Sequence, residues 1–315
     1  MNSNAAGNWT TCCVRQPEGE DVNAEQFCAA AIQMRSGMDP MRNATAMAEQ
    51  VKEAVSKGAH YVQTPEMTGA LVRDRATLRA IIRSEAEDLI VRSAGELAAL
   101  HGIFLHIGST AIALENGKVA NRSLLFAPDG KILARYDKIH MFDVDLDNGE
   151  SWRESATYEA GSRAVVQELP FARLGLGICY DVRFPALFQT QALAGADVLT
   201  APAAFTRQTG KAHWHILQRA RAIENGAFVI SAAQGGTHED GRETYGHSII
   251  VDPWGAIIAE ADHDDPAVIV AEIIREDSQR ARRKIPNLLN RRAFQLDGSS
   301  EANDIKAQLS GRAEA

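Results

Sequence analysis

Three side chains in this sequence stand where an α/β sheet presents its reactive groups. Glu66 follows HYVQTP, Lys138 follows KILARYD and Cys179 follows LGLGI, each the end of a segment that reads as a strand. Open α/β sheets bind ligands at the carboxyl ends of their strands, so groups placed there can converge on one pocket. A carboxylate, an ammonium and a thiol are together sufficient to hydrolyse a carbon–nitrogen bond. A thiol with a pKa of ~8.5 is a weak nucleophile at neutral pH; a nearby cation lowers that value, and a nearby carboxylate can take the proton during attack. Glu66 suits the base and Lys138 the cation. The Lys138 ammonium and the backbone N–H of Tyr180, just after the nucleophile, can hold the oxyanion that forms when Cys179 adds to an amide carbonyl. No metal or organic cofactor is needed.

Taken singly, each residue has a plainer reading: Glu66 as a solvated loop carboxylate, Lys138 as a surface cation, Cys179 as a small core hydrophobe. A Cys–His pair using His140 or His247 is a second chemical option. His213 and His215 are two apart on a helical pattern, so they point away from each other and make a poor metal pair.

The elements that must position these groups alternate. FCAAAIQM reads as a buried strand, and Met47, Val51, Ala54 and Val55 recur at helical spacing until Gly58 ends the helix. Leu89 to Leu100 has helical period. Two hairpins follow from their turns, one at Pro128-Asp129-Gly130 and one at Asp252-Pro253-Trp254-Gly255, so antiparallel strands share the sheet. Between them come the strand LGLGICYD, a helix near Ala186 to Ala194, the strand DVLTAPAAF, the helix HWHILQRARAIENG and the strand AFVISAAQ. This order predicts a layered α/β domain over 27–297, with helices outside sheets and no internal linker. Residues 1–26, which include Cys12 and Cys13, and residues 298–315 are polar and read as tails.

Composition narrows the function. Of 315 residues 45% are hydrophobic and 23% charged, the balance of a globular protein with a large core. A formal charge of −8 disfavours nucleic acid and anionic membranes as partners. No apolar run approaches the ~18 residues of a membrane span, and the first residues lack a secretory layout, so a cytoplasmic location is expected. Four cysteines in a chain of this length fit reduced thiols better than a disulfide framework.

TPEMT at 64–68, YDKIHMFDVDL at 136–146, WRES at 152–155, GLGICYDVRFP at 175–185, TGKAHWHILQRARAIEN at 209–225 and YGHSIIVDPWG at 245–255 together resemble the nitrilase superfamily of carbon–nitrogen hydrolases, over about residues 27–296. The resemblance implies a four-layer αββα sandwich, a homodimer, and a Glu66–Lys138–Cys179 triad with Glu154 as a second glutamate positioning substrate and lysine. The motifs look most like the branch of deaminated glutathione amidases and ω-amidases, with YGHS and DPWG favouring the first. The activity then expected is hydrolysis of a small carboxylated carboxamide to carboxylate and ammonia through a Cys179 thioester. Deaminated glutathione is the first substrate in view, with 2-oxoglutaramate or an N-carbamoyl amino acid as alternatives. Tyr-Asp after Cys179, where nitrile-hydrolysing members carry Trp-Glu, favours an amide over a nitrile. Arg183, Arg207 and Lys211 are the cations expected to meet substrate carboxylates. His215 stands where relatives often carry Glu. A non-catalytic binding module would be expected to have lost a triad residue, and none is lost.

Overall fold

The computed structural model describes residues 26–146, 149, 151–295 and 297. Cys12, Cys13 and the proposed tails lie outside the described residues, except Gln26, which opens the first strand by pairing with Ile274.

Two six-stranded mixed sheets form the middle of the molecule. The first runs, edge to edge, Ala267–Ile274, Gln26–Gln33, Tyr61–Gln63, Phe104–Ala113, Val119–Phe126 and Ile132–Asp137. The second runs Ile257–Glu260, Ile249–Val251, Phe228–Ser231, Val198–Thr200, Arg173–Leu176 and Val165–Glu168. In each, a parallel trio is extended by antiparallel strands on both sides, among them the two expected hairpins.

Strand periodicity sorts side chains between the layers. In Gln26–Gln33, Ala30 and Ile32 pack with Met47, Val51 and Ala54 of the helix Pro40–Ser56 and with Ile90, Ala94 and Ala98 of the helix Leu89–His101. Phe27, Ala29 and Ala31 face the other way, into the core shared with Leu174, Leu176 and Val198 of the second sheet. Gly175 alternates with those leucines, and a Cβ there would come within 2.7 Å of Gln191 Oε1, so the helix Pro185–Leu193 lies hard against the strand. The helix Arg207–Asn225 covers the same outer face through Trp214 and Ala222. The layers are helix, sheet, sheet, helix, as expected.

The helix ends follow local chemistry. Asp39 caps Pro40–Ser56 by accepting from Met41 N, and Gly226 closes Arg207–Asn225 in the left-handed region. The helix Arg207–Asn225 extends the expected HWHILQRARAIENG back to Arg207, because Thr206 accepts from Thr209 N and starts it there.

Candidate active site

The first sheet delivers two of the three reactive groups. Glu66 comes three residues after Tyr61–Gln63, and Lys138 directly follows Ile132–Asp137. The Glu66 turn is clasped by its neighbour strand: Gly108 N donates to Thr64 Oγ1 at 3.1 Å, and a Cβ on Gly108 would lie 2.1 Å from the Thr64 carbonyl oxygen. Only glycine fits that approach. Cys179 comes from the second sheet, opening the 3₁₀ turn Cys179–Arg183 that follows Arg173–Leu176. Its φ of 49° is left-handed, a conformation that costs an L side chain about 1–2 kcal/mol and points to a position set by function.

Asp181, fully buried, holds that turn. Its carboxylate accepts from Ile178 N at 2.9 Å, Tyr136 Oη at 2.7 Å, His140 N at 3.0 Å and the His140 ring at 2.7 Å. Tyr136 and His140 flank Lys138 in sequence, so one carboxylate ties the cysteine turn to the lysine strand.

The three groups meet on the wall of a cavity of about 360 Å³. Lys138 is 2% exposed, Glu66 4% and Cys179 8%. Lys138 Nζ donates to Glu66 Oε1 at 3.0 Å and to both Glu154 oxygens at 3.0 and 2.9 Å. Glu66 Oε1 also accepts from Asn121 Nδ2 at 2.9 Å and Oε2 from Ala204 N at 2.9 Å, while Cys179 hydrogen-bonds the same carboxylate. Glu154 accepts from Phe142 N at 2.7 Å and from Asn121 at 3.2 Å. Asn121 was not read from the sequence; its only signal is a polar residue in the apolar strand segment VANRSLLF.

Electrostatics set the protonation states. Burial pushes the Glu66 carboxyl up, but the Lys138 charge and the hydrogen bonds from Cys179, Lys138 and Asn121 outweigh it and hold Glu66 below the usual carboxylate value. Burial lowers Lys138, yet Glu154, Glu66 and Cys179 raise it well above the ordinary lysine value. Cys179 departs from the expectation that a nearby cation lowers the thiol. Burial and the Glu66 charge raise it well above the ordinary thiol, and the Lys138 charge only partly opposes them. The resting state is therefore carboxylate, ammonium and neutral thiol.

Tyr180 lines the cavity beside Cys179. None of the three expected carboxylate-binding cations, Arg183, Arg207 and Lys211, lines the cavity. Arg207 and Lys211 are off the cavity wall; the Arg207 guanidinium is committed to Asp264 at 2.8 Å and Glu243 at 3.7 Å, and Lys211 is exposed on its helix. Arg183 sits over the rings of Tyr180 and Phe205, which line the cavity, with its Nη2 3.2 Å from His213 Nδ1. The cations that do reach the wall, besides Lys138, include Arg73 and Arg242, which sequence reading missed.

The histidines are engaged elsewhere: His215 with Glu260 at 2.6 Å, His140 with Asp181, and His247 Nδ1 with the Tyr245 carbonyl at 2.7 Å. Neither His140 nor His247 lines the cavity, so the Cys–His option lacks its geometry. Among the described residues no cluster of His, Cys, Asp and Glu could hold a metal ion.

Comparison with known proteins agrees with this architecture. A deaminated glutathione amidase of Synechocystis sp. is 41% identical over 271 residues, 84% of this chain and 98% of the relative. An ω-amidase of Homo sapiens is 33% identical over 267 residues, 85% of this chain and 95% of the relative. Among solved structures, the NitFhit protein of C. elegans superposes with a TM-score of 0.79 at 33% identity, covering 88% of this chain and 69% of that one. Residues 28–283 match the carbon–nitrogen hydrolase family model, and the chain belongs to that family.

Proposed function

We propose that this protein is a cysteine-dependent amidase whose substrate is deaminated glutathione. The observation that carries the reading is a neutral, buried Cys179 thiol hydrogen-bonded to the Glu66 carboxylate, with the Lys138 ammonium on the same carboxylate. As the Cys179 sulfur bonds to the amide carbon, its proton passes to Glu66, and the carbonyl oxygen becomes an anion held by Lys138 and the Tyr180 N–H. The carbon–nitrogen bond then breaks, and Glu66 returns the proton to the departing amine. Water attacks the thioester while giving a proton to Glu66, the carbon–sulfur bond breaks, and Glu66 reprotonates the thiol. Glu154 acts by fixing Lys138. Because the thiol starts neutral, Glu66 is needed from the first step.

The amine released follows the substrate. A primary carboxamide such as 2-oxoglutaramate gives ammonia; deaminated glutathione contains a secondary amide, so its departing amine is cysteinylglycine. Arg183 remains the cation proposed for the carboxylate of the acyl half. The alternative substrates are 2-oxoglutaramate, which the human relative's name as an ω-amidase favours, and an N-carbamoyl amino acid. Side-by-side turnover of these three decides: kcat/KM for deaminated glutathione should exceed the other two by about tenfold or more, and a preference for 2-oxoglutaramate would assign the ω-amidase role instead.

Glu66→Gln should lower kcat by about 10³-fold or more in both acylation and deacylation. Rapid-quench trapping of the acyl-enzyme checks this, since thioester forming at the wild-type rate would remove Glu66 from the first step.

Within the proposed domain of residues 27–297, the exposed apolar residues Ile216 and Ile223, seven apart on one helix, and Trp254 on the neighbouring turn support a homodimer packed through this face. A nucleophile that must stay reduced fits a cytoplasmic setting.

A further inference from the structure

Five residues from separate parts of the chain build one wall of the cavity: Arg73, Trp152, Tyr158, Arg242 and, beyond them, Glu66. The Arg73 guanidinium lies 5.2 Å from the Trp152 ring centroid and that of Arg242 4.6 Å. Two cations on one indole repel each other, and the counter-charge is thin. Among the described residues, the one carboxylate paired with Arg242 is Asp240, at 3.5 Å, and the buried Nε of Arg242 has no hydrogen-bond partner there. Among the described residues, no carboxylate lies within ion-pair distance of Arg73. Burial pulls Arg242 below the ordinary arginine value, with Arg73 adding to that pull and Asp240, Tyr158 and Glu66 opposing it. A guanidinium whose side chain is 15% exposed, with one distant counter-ion and a place on the wall of a cavity, is a site short of an anion.

We propose that Arg242 and Arg73, held over the Trp152 ring, form a subsite for a carboxylate carried by the amine half of the substrate. This rests on the amide-hydrolysis reading above. Glu66 hands its proton to the departing amine, so that half of the substrate faces Glu66, and Arg242 is close enough for its charge to interact with Glu66. Arg183, by contrast, stands on the Tyr180–Phe205 side. A substrate with a carboxylate at each end of its scissile amide uses both. The terminal N–H groups of Arg242 offer a carboxylate the planar, charge-assisted pairing that arginine supports and lysine does not.

Cysteinylglycine and its C-terminal carboxamide differ only in this charge. Calorimetric titration into the wild-type protein should give tighter binding of the acid by about 10- to 100-fold, the range of a charge-assisted pair. In Arg242→Gln that preference should shrink to about threefold or less, with partial recovery in Arg242→Lys, and Arg73→Gln should lose a smaller part. The same substitutions should raise KM for deaminated glutathione far more than for its glycinamide analogue, with kcat little separated. A wild-type protein that binds acid and carboxamide alike, or binds neither, overturns the subsite, as does an Arg242→Gln variant that keeps the preference. Absence of deaminated glutathione turnover in the wild type alongside an intact charge preference would instead sink the substrate reading and leave the subsite standing.

Discussion

Replacing Cys179 with alanine should lower turnover by about 10⁴-fold or more while leaving the fold in place. The chemistry requires the sulfur twice, as attacking atom and as leaving group, and among the described residues no other thiol or hydroxyl on the cavity wall is hydrogen-bonded to Glu66. Little stability is at stake. The side chain is small, the backbone at φ 49° is equally strained with alanine, and the turn is held by Asp181 rather than by the thiol. A thermal midpoint within about 3 °C of wild type, measured beside the rate, is therefore part of the expectation. Residual turnover above about 1% would place the nucleophile elsewhere.

Lys138→Met should damage rate and stability together, because it removes both oxyanion charge and counter-ion. Loss of the oxyanion donor alone is worth about 10²–10³ in kcat. The larger consequence is structural: Glu66 and Glu154 would share a buried site without their common cation, and breaking a buried pair in this way costs about 3–5 kcal/mol. The pH dependence separates this from a generic loss. In the wild type the folded-state Glu66 value is depressed, so its contribution to stability is complete above the unfolded value of 4.5 and is lost as pH falls through the depressed one. Without Lys138 the burial effect is unopposed by that charge, the Glu66 value moves up, and ionising it then costs stability. Urea midpoints of the variant should fall between pH 5 and 8, where those of the wild type owe no such decline to Glu66. A variant whose midpoint is flat across that range would mean that Lys138 does not govern Glu66.

What the sequence made legible were features whose cause is local. The hairpins at 128–130 and 252–255 depend on their own turn residues, and Gly130 and Gly255 adopt the positive φ their positions require. Glu66, Lys138 and Cys179 were legible as strand-end residues, and Glu154 only by resemblance, since its role depends on a lysine sixteen residues away. The strand Phe104–Ala113 was not read at all. His106, Gly108, Ser109 and Thr110 interrupt its apolar pattern, and each is buried for a reason outside the segment, as when the His106 ring bonds Tyr61 and Ser123, both at 2.6 Å. The same holds for the substrate cations. Lys211 sits in a recognised motif and Arg207 just before it, yet neither lines the cavity, while Arg73 and Arg242 lie in segments with no pattern of their own and are joined through Trp152.

Glu66 and Lys138 ride on one sheet and Cys179 on the other, with a layer of side chains between them and the Asp181 carboxylate as the cross-tie. The separation of the two sheets is thus the ruler that sets the distance from sulfur to base. Hydrolysis rate becomes a finer gauge of that spacing than any signal from secondary structure. On heating, the protein should fall silent while its strands and helices are still counted as native, and cooling within that interval should restore it.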